Sequence, residues 1–481
     1  MVGFFRGALA MLVVLGITWG GVISYWRYAG TVPNARDILA YLGLLPAGIF
    51  GGTWALRSFA QRARDTAAAR SAASAETEVA EPETDTDVVQ VVAAQQPAAV
   101  LASSVRLPLG LAAESLLAEP LGTARLRAHP TFRDRSGLPV YLAMAEDVQA
   151  QVPLPQELEP EQAEHVRRAL SLLEPVVEEL LVEASQALPA LASDQGKVVA
   201  GWRQTVNETV PCQLSIELLV PGDWPAYLRE ACEAWLRRSG VEQGLDARRF
   251  TVDVVPVEDA DAAWSRLLRH VDAPPRQGPS WLLALACHSD IGTARLDRLE
   301  ALGSLRTARL PDGRVPGEAA AGVLLGWTGA GPAFLRGIEH AALPDGGNAA
   351  SRGRLSGALA ETALERSGIE ASRVDMVLAD ADMRVDAAAE GSGVASRICQ
   401  DIDLSRQYLA LGTRTGHVGA VQPFAQLALA QRHLQAGGDA ALVVGVASAG
   451  KRWIAVLDSL PPDQRGPGDV RATAAAQTEP V

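Results

Sequence analysis

The clearest pattern in this chain is the alternation of short apolar runs with longer segments of helical character in its C-terminal part. Apolar runs predict strands over 374–379, 408–411, 440–446 and 453–457. Helical segments are predicted between them, over 387–399 and 422–435. Strands that are apolar at nearly every position are buried on both faces, so this part of the chain predicts an α/β layered domain.

The same alternation occurs earlier in the chain, before residue 290. Strands are predicted over 99–107, 213–220, 250–257 and 281–287, and helices over 161–187, 224–239 and 260–271. The helix that starts at Trp224 is expected to end at Gly240, because glycine is common just beyond a helix. A length of 481 residues suits a duplicated α/β fold better than one ordinary domain.

The N-terminal 60 residues have a different character. Residues 4–25 are nearly all apolar, with Arg6 as the one charged residue, and residues 38–56 carry no charge. Each stretch approaches the roughly 20 residues that a membrane-spanning helix needs. We therefore predict a transmembrane hairpin over 1–60; the alternative is a cleavable signal peptide followed by a buried helix. Arginines after the second stretch, beginning with Arg57, predict a bacterial inner-membrane protein whose soluble domain faces the cytoplasm.

Composition adds three expectations about the rest of the chain. Residues 61–97 are rich in Ala, Glu, Thr, Asp and Val without periodicity, which predicts a flexible acidic linker, and residues 460–481 predict a disordered tail. The net charge of −13 argues against a nucleic-acid partner. Four cysteines without a C-x-x-C pair indicate neither a zinc ribbon nor a disulfide framework.

Three motifs in the second half carry a resemblance to a known family. They are the DGRVPGEAA run over 312–320, the Gly416-His417 pair before small residues, and the GVASAG turn over 445–450. In this order they resemble the C-terminal half of β-ketoacyl synthases, in the thiolase superfamily. The resemblance implies a duplicated α-β-α-β-α layered fold with a five-stranded sheet in each half. We place the halves at 98–305 and 306–459.

The resemblance also implies a cysteine nucleophile at a strand-to-helix junction and two catalytic histidines. The matching junction here has Val257 and three nearby acids, and it contains no cysteine. The first histidine segment matches residues 379–384, where Asp380 or Asp382 falls near the histidine position. Only His417 is retained, so we name no catalytic residue and predict that His417 packs and hydrogen-bonds with Asp380 or Asp382.

Other residues that could carry chemistry are interpreted as structural. Cys287 and His288 are adjacent on a predicted strand and therefore point to opposite faces, which prevents them from acting together. The remaining cysteines fit small buried hydrophobic positions. Five scattered histidines are expected at the surface, and no two have a metal-binding spacing: His129, His165, His270, His340 and His433. We therefore predict no metal and no cofactor.

The leading functional hypothesis is a membrane-anchored, non-catalytic thiolase-fold protein that acts as an adaptor or scaffold. The run over 315–324 also resembles one in type VI secretion lipase adaptor proteins, which implies a secreted effector as the partner. The alternatives are a divergent acyl-transfer enzyme that uses His417 with Asp380 or Asp382, and an accessory subunit that pairs with an active fatty-acid or polyketide synthase. A homodimer is expected to form through the strand that contains Asp253.

Overall fold

A computed structural model describes residues 95–460, with gaps at 122–125, 127, 147, 149–157, 190–197, 200–201, 204–211, 273–279, 328–330, 344–347 and 400–401. No helix within this described part is both long and apolar enough to cross a membrane. The predicted transmembrane hairpin, nearly all of the predicted linker and nearly all of the predicted tail lie outside the described residues.

The described elements alternate between strands and helices. The strands are β1 (Ala98–Arg106), β2 (Ala128–Arg133), β3 (Pro139–Tyr141), β4 (Val198–Val199), β5 (Trp202–Arg203), β6 (Leu214–Pro221), β7 (Phe250–Val257), β8 (Trp281–Ser289), β9 (Glu318–Gly326), β10 (Ala333–Ala342), β11 (Val374–Ala379), β12 (Tyr408–Ala410), β13 (Ala440–Gly445) and β14 (Lys451–Asp458). The α-helices are α1 (Ala113–Ala118), α2 (Pro160–Ala187), α3 (Ala226–Glu242), α4 (Ala260–Asp272), α5 (Thr293–Ala301), α6 (Ala349–Ser367), α7 (Val385–Ile398), α8 (Leu404–Gln407), α9 (Gly412–Thr415) and α10 (Gln422–Gln435).

Ten strands form one sheet that contains the same five-stranded pattern twice. Its order is β12-β11-β13-β14-β10-β1-β9-β8-β6-β7. One half consists of β1 and β6–β9, and the other of β10–β14. When the strands of each half are numbered along the chain and read from the outer edge of the sheet inward, both halves give the order third, second, fourth, fifth and first. In both halves the second strand is parallel to the third and fourth, and the fifth is antiparallel to the fourth and first. The predicted duplicated α/β fold is confirmed, although the two five-stranded sheets are joined through β1 and β10.

The core is divided by these sheets into layers. The central cluster contains side chains of α4 and α10 together with one face of the strands from both halves. Helices α2 and α3 pack on the outer face of the first half, and α6 and α7 on the outer face of the second. Because both faces of each sheet are covered, the strands are apolar at nearly every position, as the sequence pattern predicts.

Two boundaries differ from the sequence-based expectations. Strand β9 begins within the DGRVPGEAA run, at Glu318, and pairs with β8 and β1, so the halves divide between β9 and β10 and not at residue 305. Helix α3 continues through Gly240 to Glu242. At Gly240 an added Cβ would lie 3.0 Å from the Phe250 ring, so this glycine permits close packing of α3 on β7 and does not end the helix.

Candidate functional site

A cluster of three titratable side chains lies where β8 ends. His288 is near the end of β8, Asp290 follows the strand, and His417 comes from the second half of the chain. The Asp290 Oδ2 atom lies 3.2 Å from His288 Nε2 and 3.2 Å from His417 Nδ1. The two imidazole rings meet edge to face, with their centroids 5.5 Å apart. A carboxylate is therefore held between two histidines.

The segment from Val315 to Gly317 holds the two sides of this cluster together. The backbone N–H of His417 donates to the Val315 carbonyl at 2.8 Å, and the N–H of Asp290 donates to the Gly317 carbonyl at 2.9 Å. Gly416 has φ +63°, and a Cβ there would lie 2.7 Å from the Val315 oxygen. A Cβ on Gly317 would lie 2.1 Å from the Thr415 oxygen. The glycines thus allow two backbone segments to approach more closely than side chains would permit.

The buried Glu318 side chain connects several segments around the cluster through hydrogen bonds. Its carboxylate is fully buried and accepts from Arg168 Nε at 2.8 Å, from the Ser289 hydroxyl at 3.0 Å and from the Ala145 N–H at 2.6 Å. These contacts connect α2, the end of β8, the start of β9 and the loop after β3. A buried carboxylate is tolerated only when it is paired and hydrogen-bonded, and Glu318 satisfies both conditions.

The cluster opens onto a cavity of about 420 Å³. The His417 side chain is 30% exposed, whereas those of His288 and Asp290 are 8% and 4% exposed. The charged residues that line the cavity, apart from the cluster itself, are Asp223, Glu258, Arg295, Arg298 and Arg314. His417 is therefore the member of the cluster that solvent or a ligand reaches most easily.

Arginines on two sides set the electrostatics of the cluster. Arg295 Nε donates to Asp290 Oδ1 at 2.9 Å, and the same guanidinium pairs with Asp223. Burial alone would raise the pKa of Asp290, but the neighbouring imidazoles of His288 and His417 hold that pKa well below its ordinary value. Burial lowers the pKa of His417, and Asp290 opposes that shift. The Arg314 Nη1 atom lies 3.3 Å from His417 Nε2.

The structure brings together only some of the residues that the sequence singled out. Val257 and His417 line the same cavity. Asp380 instead accepts from the backbone N–H groups of Val446 and Ala447, at 2.6 and 2.9 Å. Asp382 pairs with Arg384 at 2.8 Å. The predicted hydrogen bond from His417 to Asp380 or Asp382 is therefore wrong.

The physical reason for this error is the backbone pairing of His417. Its contact with Val315 and Pro316 turns the imidazole towards the end of β8, where Asp290 supplies the partner. Asp290 was missed because it is 127 residues away in sequence. The available signal was its position just after a fully apolar strand, since the carboxyl ends of parallel strands commonly form sites.

His288 and His165 also differ from the sequence-based expectations. His288 belongs to a group with a possible metal-binding arrangement, together with Asp290 and His417, although no metal was predicted. His165, expected at the surface, is only 8% exposed. Desolvation is the largest influence on His165 and lowers its pKa to about 4.

The Cys287 side chain packs into the core, in contrast to that of the adjacent His288. It is fully buried and belongs to the core cluster on the outer face of the first half, whereas the His288 ring packs against Gly419 of the second half. Burial raises the pKa of the Cys287 thiol well above its ordinary value. A thiol that stays protonated is a poor nucleophile, although Cys287 is among the residues that line the cavity.

Comparison with known proteins identifies the fold of this chain but not its activity. No protein-family model matches the chain, and no curated protein matches it in sequence. Solved structures do match. One, described as the ishigamide ketosynthase/chain length factor, is 17% identical with a TM-score of 0.50, covering 76% of this chain and 99% of its own.

A second solved structure is a type II polyketide synthase acyl-carrier protein in complex with its ketosynthase. It is 13% identical with a TM-score of 0.52 and covers 76% of this chain and 100% of its own. At these identities the comparison shows that the chain has the mixed α/β, thiolase-like fold of ketosynthases.

Proposed function

We propose that this protein is a non-condensing accessory subunit with a ketosynthase fold, acting beside an active synthase in a fatty-acid or polyketide system. The observation that carries the proposal is the β7-to-α4 junction, which lines the cavity with Val257 and Glu258. A condensing enzyme needs a reactive thiolate at such a junction. A valine cannot form an acyl-enzyme, so the fold is present without its covalent chemistry.

The surface for a partner is the edge strand β7. It ends the ten-stranded sheet, and its Asp253 side chain is 66% exposed. An unpaired edge can extend a sheet into a second subunit. The partner is then an active synthase or a second copy of this chain. Light scattering of the full-length protein distinguishes the two: a homodimer without added synthase supports the second copy, and a strict monomer excludes it.

The membrane hairpin predicted over 1–60 adds a location to this proposal. The accessory subunit would sit at the bacterial inner membrane with its soluble domain in the cytoplasm. A cytoplasmic reporter fused after Val481 should then be active, and a periplasmic reporter should be silent. The adaptor hypothesis uses the same anchor with a secreted effector as its partner.

The proposal is tested by incubating the full-length protein with acyl-CoA and with acyl carrier protein substrates. We expect neither release of free thiol nor covalent acylation of the protein, as measured by mass spectrometry. A pull-down from the native host should recover a synthase or an acyl carrier protein. Recovery of a secreted effector instead would favour the adaptor, and covalent acylation would overturn the accessory role.

One observation favours a second candidate, a divergent acyl-transfer or hydrolytic enzyme. His417 borders the cavity while its Nδ1 atom faces the buried Asp290, which is how an orienting carboxylate holds a general base. This candidate predicts thiol release without acylation of the protein. That release should disappear in His417→Ala and fall strongly in Asp290→Asn, whereas the accessory role predicts no release from any form.

A further inference from the structure

We propose that His288, Asp290 and His417 form a binding site for one divalent transition-metal ion, of the Zn²⁺ or Fe²⁺ type. Two imidazoles and one carboxylate are a donor set that these ions accept. The inference concerns a ligand of the fold and goes beyond the proposed accessory function.

The spacing of the donor atoms fits a shared ion. Metal bonds to histidine nitrogen and carboxylate oxygen are about 2.0–2.2 Å long, so neighbouring ligands on one ion lie about 3 Å apart. Asp290 Oδ2 lies 3.2 Å from each of the two histidine nitrogens. All three donor atoms lie within 4.8 Å of one another, so a small rotation of one imidazole closes the set around an ion.

An independent observation at His288 points to a ligand. The residue is 6% exposed, and its Nε2 atom has no hydrogen-bond partner among the described residues. The Asp290 Oδ2 atom lies 3.2 Å from this nitrogen, close enough for both atoms to bind one ion between them. Leaving a buried polar atom without a hydrogen-bond partner is unfavourable, which makes such atoms rare in folded proteins. A metal ion between His288 and Asp290 would satisfy the nitrogen.

The surroundings support the ligands in the way that metal sites require. Arg295 binds Oδ1 of Asp290 and leaves Oδ2 directed at the histidines. Gly419 lies so close to the His288 ring that an added Cβ would be 2.8 Å from Nδ1, and this contact restricts the ring. Groups that orient the ligands commonly tune metal affinity. The cavity beside His417 leaves room for a water or substrate on the ion.

The positive charges near the site are largely compensated. Arg295 is paired with Asp223 as well as Asp290, and Glu258 also lines the cavity. Arg314 is exposed and reaches His417 only through Nε2. When a metal binds Nδ1 of His417, the ring proton is on Nε2. The Nε2–H group and the Arg314 guanidinium are then both hydrogen-bond donors and cannot bond to each other. Metal binding should therefore displace the Arg314 side chain into solvent.

The test uses the full-length protein, stripped of metal with a chelator and titrated with Zn²⁺ and with Co²⁺. We expect one ion per chain by calorimetry, and a visible Co²⁺ absorption band typical of low coordination number. His288→Ala, His417→Ala and Asp290→Asn should each weaken binding at least about 100-fold, because each removes one of only three ligands.

The matched control is His433→Ala. His433 pairs with Asp375 at 2.7 Å elsewhere on the same chain, and among the residues that the structure describes no second histidine joins this pair, so metal affinity should stay unchanged. Should a site variant unfold, anomalous scattering from wild-type crystals soaked in Zn²⁺ decides the question. Zinc density among the three donor atoms supports the site. Binding that is unaffected by all three substitutions, or absence of zinc density there, overturns it.

Discussion

The two halves of this molecule share a strand order but differ at the edge where their parallel strands end. In each half, the segment that leads into the central helix reaches across to the other half. His417, which precedes α10, meets Asp290 of the first half, and Asp261 of α4 meets Ser448 and Trp453 of the second. The first-half edge is an open cavity with a titratable cluster.

The second-half edge is filled by internal contacts. Asp380 is bound by backbone N–H groups, and the Glu390 carboxylate pairs with Arg452 Nε at 2.7 Å, with both side chains at most 3% exposed. Gly391 lies so close to Tyr408 that an added Cβ would be 2.5 Å from the hydroxyl oxygen. The comparison shows that the two halves share a scaffold, whereas the segments that follow the strands decide whether a half has room for a ligand at its strand ends.

Removing the Glu318 carboxylate should have the largest effect on the first-half edge. Glu318→Ala leaves the Arg168 guanidinium without its partner in a largely buried place, so the free energy of unfolding should fall by about 3–5 kcal/mol. Urea unfolding followed by tryptophan fluorescence measures the loss. Glu361→Ala removes an exposed pair with Arg397 and should change stability far less; equal losses would contradict the role given to Glu318.

Asp380→Asn tests whether the Asp380 side chain, at the strand ends of the second half, is protonated in the folded protein. Burial raises the pKa of Asp380 to about 7 from an ordinary 3.8. The folded state therefore binds the proton more tightly than the unfolded state, and its stability falls as the pH rises from about 4 to 7. The variant should lose this fall and gain at most about 4 kcal/mol over the parent at pH 8.

Unfolding free energies of the Asp380→Asn variant and its parent, measured across that pH range, check this expectation. Identical pH profiles for the two proteins would show that Asp380 is ionised in the folded state.

Gly317→Ala should disturb the contact that joins the two halves at the cluster. The added Cβ would lie 2.1 Å from the Thr415 oxygen, so one backbone segment must move, at a cost of about 1–3 kcal/mol. Gly393→Ala is the control, because a Cβ there meets nothing within 4 Å and lies inside α7. That substitution should raise stability by up to about 1 kcal/mol. Thermal unfolding of both variants tests the contrast.

The smallest effect is expected from alkylation of the cysteines. Burial raises the pKa of Cys232 to about 12 and that of Cys399 to about 11, and Cys287 is shifted in the same direction. Iodoacetamide at pH 8 should leave these three thiols unmodified in the folded protein, while the partly exposed Cys212 reacts. Peptide mass spectrometry reads the result. Rapid alkylation of Cys287 would reveal a reactive thiol beside the cavity.

The sequence by itself determined many of the elements and their alternation between strand and helix. Helix α10 and strand β7 have the bounds that the apolar pattern predicts, because periodicity depends only on which face of a local segment is buried. Two such alternations predict α/β layers in both parts of the chain, and the resemblance of the three motifs implies the duplicated layered fold. His417 could be singled out because Gly416 and the small residues after it are a local signal.

The tertiary structure alone decided which residues meet His417. Its partner Asp290 lies 127 residues away, and the approach depends on backbone pairing with Val315 and on glycines that permit close contact. The assignment of β9 to the first half likewise depends on long-range pairing. Local patterns report burial, but the choice of partner across the sheet depends on contacts between segments far apart in the chain. The sequence offers a signal for Asp290 at the end of an apolar strand, but only the folded protein shows that it meets His288 and His417.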